Sequence, residues 1–148
     1  MAAPEERLRR RPSDRFAGAE HRFDLTAALD ALRREPRPAS KGHRQITLQH
    51  HGPVRLVLFA FEAGGSMREH QAPGWTTIHV LRGALRVRTP GESYTLTTGQ
   101  LLALDPDVPH DVDATEETDM LLGVYPPTPV NAEATAPTGR RNPGRGPS

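Results

Sequence analysis

The sequence predicts an all-β domain, a barrel or sandwich of short antiparallel strands with one short helix ahead of it. Three observations predict this. Apolar residues recur at every second position in short runs over about residues 44–125. Glycine or proline turns close those runs roughly every eight to twelve residues. A single segment upstream carries helical spacing instead.

Composition bounds the rest. The 148 residues suggest one domain, and 35% hydrophobic with 25% charged residues is ordinary for a protein with a modest core. A formal charge of +1 is far too small for a nucleic-acid footprint, so no nucleic-acid partner is expected although arginines crowd both ends. The absence of cysteine excludes a disulfide, a thiol nucleophile and a thiolate-bound metal, and fits a reducing compartment. No apolar run is long enough to span a membrane and no secretory signal is visible, so the expected location is cytoplasmic.

In chain order, residues 1–20 are rich in Arg, Glu, Ala and Pro, including Arg7-Leu8-Arg9-Arg10-Arg11, and read as a disordered, solvated arm. Helix and linker are expected over 24–43. Leu25, Ala28, Leu29 and Leu32 fall on one helical stripe, Thr26 is a candidate cap and Pro36 forbids continuation. The stripe should pack on the outside of a sheet. The barrel follows over 44–125. A first strand is expected from Arg44 to Gln49, with His50, His51 and Gly52-Pro53 at a hairpin tip. The histidines there read as exposed turn residues, the other reading being a supplementary metal ligand.

Val54 to Glu62 is apolar on nearly both faces, as in a strand covered on two sides. One reading lines the barrel with Leu56, Leu58 and Ala60 and turns Val57, Phe59 and Phe61 toward the helix or another subunit; the alternate set is the other. The two-sided apolarity predicts a homodimer. Further strands are expected from Thr76 to Val80, Ala84 to Arg88, Ser93 to Thr97, Leu101 to Leu104, Pro109 to Ala114 and Met120 to Tyr125. The tail over 126–148 holds six prolines in 23 residues and reads as disordered.

Two stretches carry chemistry. In the first, Gly64 is followed after five residues by His70, a turn lies at Pro73-Gly74, and Gly83 ends the next strand. In the second, Gly99 precedes His110 by ten intervening residues. These spacings resemble the two motifs of the cupin family. The family's second histidine and its glutamate fall on Ala72 and Thr76; its second-motif proline, glycine and asparagine fall on Asp105, Asp107 and Ala114.

The resemblance implies a cupin-type double-stranded β-helix, or jelly-roll, barrel. It brings His70 and His110 to one pocket with Ala72, Trp75, Thr76, Ile78 and Val112. In that register Thr76, Ile78 and Val80 line the barrel, while His79 takes the opposite face as a surface or interface residue. Trp75 belongs at the rim, either stacking on a ligand or covering the mouth. Asp105 and Asp107 are read as turn residues rather than acceptors that orient His110.

Zinc or iron centres in cupins resembling this chain use three histidines and a carboxylate, and the candidate ion here is a divalent transition metal, zinc, manganese, iron or nickel. Here His70 and His110 are the candidate metal ligands, and two more would have to come from elsewhere. Without a metal the pair could serve as general acid and base. The expected function is binding of a small organic ligand, with a divalent metal as a further occupant, in a sensing or sequestering role. The alternative is a metal-dependent cupin enzyme of the dioxygenase, isomerase or decarboxylase type.

Overall fold

The computed structural model describes residues 20–51 and 54–127. The arm expected over 1–20 and the tail expected over 126–148 fall, but for their innermost residues, outside the described residues, as does the Gly52-Pro53 tip. Among the described residues one helix, α1 (Leu25–Arg33), precedes nine strands. They are β1 (His43–His51), β2 (Val54–Phe61), β3 (Ser66–His70), β4 (Trp75–Arg82), β5 (Ala84–Arg88), β6 (Ser93–Thr97), β7 (Leu101–Leu104), β8 (His110–Ala114) and β9 (Thr118–Tyr125). Every strand pair is antiparallel. A five-stranded sheet in the order β1-β2-β9-β4-β7 faces a four-stranded sheet in the order β3-β8-β5-β6, which makes an all-β jelly roll.

The core lies between the sheets. Val57, Phe59, Phe61, Ile78, Val80 and Met120 of the larger sheet meet Leu85, Val87, Leu96, Val112 and Ala114 of the smaller. β2 therefore takes the alternate set: Val57, Phe59 and Phe61 point into the barrel, and the reading that turned them toward the helix is corrected. Leu56, Leu58 and Ala60 point outward, where Ala28, Leu29 and Leu32 of α1 cover them together with Ile46 and Leu48 of β1. Periodicity cannot rank two apolar faces. Volume does, because the paired Phe59 and Phe61 rings stack in the wide interior while the small Ala60 admits the helix. The two-sided apolarity that motivated the homodimer is thus accounted for within one chain.

The helix is capped two residues earlier than Thr26 suggests. Asp24, not Thr26, is the cap, its Oδ1 accepting from the Ala27 N–H at 3.0 Å. Arg33 in the last turn ties the helix to the sheet: its guanidinium pairs with Asp119 at 2.6 Å and donates to the Thr118 carbonyl at 3.2 Å. Burying Leu29 and Leu32 contributes about 1.5–3 kcal/mol each.

The ends of the barrel differ. At one end the Glu62 N–H donates to the Gly42 carbonyl at 2.8 Å and the Ser66 N–H to the Lys41 carbonyl at 3.1 Å, so β1 and β3 start side by side. Both then run toward the other end. There the β1–β2 hairpin, the 71–74 connection, the 89–92 turn and the 105–109 loop gather, and this end is the mouth.

Candidate functional site

The backbone brings the two motif histidines together. In the β3–β8 pairing His70 stands opposite His110, and Met67 opposite Val112. Three steps along β3 thus match two along β8. The extra residue is a β-bulge, which places the His70 backbone opposite His110 despite the odd separation from Met67. His110 is 2% exposed and lies on the inward face with Val112 and Ala114. Its Nδ1 lies 3.0 Å from the Val108 carbonyl oxygen. A carbonyl only accepts, so Nδ1 carries the proton, and in the neutral ring the lone pair is on the buried Nε2.

The loops around this pair hold each other. The Asp107 N–H donates to the Ala72 carbonyl at 2.8 Å, joining the 105–109 loop to the 71–74 connection. Asp107 has φ of 65°, the left-handed conformation that the glycine usual at this motif position adopts without strain. Asp105 and Asp107 are both exposed, and the partner that orients His110 is the Val108 carbonyl. Gly74 is pressed against the Tyr125 carbonyl so closely that a Cβ could not fit, which fixes the approach of Trp75 to the sheet.

The remaining predicted residues spread over wall and rim. Thr76 is 4% exposed, while Ile78 and Val112 are deep in the core. Ala72 is half-buried in the connection. Trp75 is 42% exposed at the start of β4. His79 is half-buried, alternating with the inward Ile78 and Val80.

His50 and Arg55 belong to this end too; the sequence offered His50 as an exposed turn residue or a supplementary metal ligand, and sequence reasoning passed over Arg55. His50 pairs with Arg55, Arg55 with Val124, Val124 with Thr76, and Thr76 with Leu104. Directly paired residues share a face, so this row crosses the larger sheet on its interior side. The signal for Arg55 was present: it is the only charged residue of β2.

The donor set limits what the mouth can hold. Ala72 and Thr76 stand at two of the four ligand positions, leaving two imidazoles where protein metal sites use three or four donors. Among the described residues no group of three or more His, Cys, Asp or Glu could hold a metal ion. The described residues do not fit a metal ligated wholly by protein.

Two other features lie outside the mouth. At the opposite end the His43 ring packs on Phe59 and Phe61 at centroid distances of 5.4 and 5.5 Å. Burial, and after it the charge of Lys41, hold its imidazole below the ordinary range. A cleft of about 630 Å³ runs between α1 and the outer sheet face, lined by Leu25, Leu29, Leu81, Arg33, Arg82 and Asp119. Its arginines are already paired with Asp119, at 2.6 and 3.0 Å.

Comparison with known proteins places this geometry. Residues 57–125 match the family model of the cupin domain. A conserved protein of unknown function from Streptococcus pyogenes superposes with a TM-score of 0.60 at 23% identity, over 76% of this chain and 94% of that one. A cupin superfamily protein from Desulfitobacterium hafniense gives 0.60 at 18% identity, over 73% and 94%. An RmlC-like cupin from Shewanella frigidimarina gives 0.56 at 18% identity, over 62% and 83%. At these identities the likeness concerns the fold. No curated protein matches the chain in sequence. Among the described residues no helix is long and apolar enough to cross a membrane.

Proposed function

The chain carries a cupin domain, and on that premise we propose that it binds a small organic molecule at the barrel mouth, in a sensing or sequestering role. The observation that carries this reading is the cross-strand pairing of His70 with His110, which joins two motifs distant in sequence at one end of the barrel. His110 contributes an oriented imidazole, held by the Val108 carbonyl. Thr76 contributes a buried hydroxyl, and Ile78 and Val112 an apolar floor. A few polar groups over an apolar floor are what a small-molecule pocket needs. A divalent metal enters this reading only as an ion whose remaining coordination the ligand or water completes. The alternative, a metal-dependent cupin enzyme, requires donors at the positions of Ala72 and Thr76.

The test is a two-dimensional amide NMR screen of the full chain, purified without a histidine tag, against a library of small acids, alcohols and amines. Metal content is measured on the same sample. Ligands should shift the amides of Thr76, His110 and Val112, and His110→Ala should remove the effect. A library whose members shift only amides of the α1 cleft, or none, would refute the reading.

A further inference from the structure

We infer that the mouth takes a small carboxylic acid, anchored by Arg55 and His50 on the rim across from the His70–His110 pair; this rests on the reading of the mouth as a ligand site. The row His50–Arg55–Val124–Thr76–Leu104 carries the inference. Leu104 belongs to the barrel core and Val124 packs against it, which fixes the row on the interior face. His50 joins that face only through a register shift in β1 between Thr47 and Gln49. The extra residue reverses the alternation, so His50 is not on the outer face with Ile46 and Leu48.

The charges of this row favour an anion. Arg33, Arg44, Arg82 and Arg88 each meet a carboxylate. Arg55 is exposed and forms no ion pair among the described residues. The row holds no acid. Asp111 and Asp113 alternate with the inward residues of β8 and are held by Arg88 on the outer face, while Asp105 and Asp107 sit in the exposed loop. A guanidinium presents paired N–H donors that match a carboxylate, and the charge strengthens both bonds. Neighbouring strands lie about 4.8 Å apart, so Arg55 is about 10 Å across the sheet from Thr76, less the reach of its side chain. That span suits a hydroxy acid of about four to six carbons, its carboxylate at Arg55 and its far end at Thr76, below the facing sheet that carries His110.

Gluconate and glucitol differ only in the carboxylate, and each is titrated into the full chain by amide NMR, with tartrate as a second acid. Gluconate should shift His50, Arg55, Thr76 and His110, and glucitol should bind about tenfold more weakly or less. Arg55→Gln should cost gluconate about tenfold in affinity and Arg55→Lys should recover part of it. Since Arg55 is exposed, both variants should melt with the parent. Wild-type affinity in Arg55→Gln, equal binding of glucitol, or no shift at the mouth with either acid would overturn the inference. Glucitol shifts removed by His110→Ala but indifferent to Arg55→Gln would sink the acid and leave the ligand mouth standing. Acid-induced shifts centred on the α1 cleft would sink both.

Discussion

His70 and His110 are register partners across the β3–β8 ladder, with a β-bulge on the β3 side supplying the residue that aligns them. If they form one site they should fail as one. His70→Ala and His110→Ala should each abolish binding of whichever library ligand shifts the mouth, and the double variant should be little worse than either. His79→Ala, on the other face, should leave binding intact. Calorimetric titration decides it, and additive losses would mean that the two imidazoles act separately.

The missing ligand positions can be refilled. Ala72→His with Thr76→Glu should raise affinity for zinc, manganese or nickel by about two orders of magnitude or more, since it completes a four-donor set. A folded variant showing no gain by calorimetry would place Ala72 or Thr76 outside the pocket.

Face assignment on β2 is open to a stability measurement. Phe59 is 2% exposed inside the barrel, and Phe59→Ala should cost about 3–5 kcal/mol in urea unfolding. Phe59→Arg should prevent folding by burying an unpaired charge. A folded Phe59→Arg protein that merely changed its mass in solution would return Phe59 to an outer surface.

Acid should weaken the fold through His43. Burial first, and Lys41 second, lower its folded-state value below the ordinary 6.5, so the unfolded chain takes up this proton more readily than the folded one. Stability from the neutral ring is therefore full above the unfolded value and is lost as pH falls through it toward the folded value. Between about pH 7 and pH 5 the wild type should lose more unfolding free energy than His43→Gln. Parallel slopes would show that His43 does not titrate in this way.

Asp119 is 6% exposed, accepts from Arg82 at 3.0 Å and forms an ion pair with Arg33 at 2.6 Å, linking α1, β4 and β9. Asp119→Ala should destabilise by about 1.5 kcal/mol, because Glu117 still meets both guanidiniums while the buried, charge-assisted contacts under the helix are lost. Thermal and urea melts measure this, and a loss below about 0.5 kcal/mol would reduce the cluster to a surface network.

The sequence by itself determined the strands. Alternation between glycine and proline turns placed β5, β6 and β7 at their observed bounds and predicted one helix before them. Motif spacing picked out His70 and His110 as a pair. These are local properties: strand period, turn chemistry and capping all act within a few residues. Tertiary structure decided what depends on a partner. Which apolar face of β2 enters the barrel was settled by the helix that covers the other. His50 reached the interior row through a bulge visible only against β2, because one extra residue reverses every side chain beyond it. Arg55 became a rim residue only once Val124 and Thr76 were aligned with it on neighbouring strands. Register is a relation between strands, and no single strand contains it.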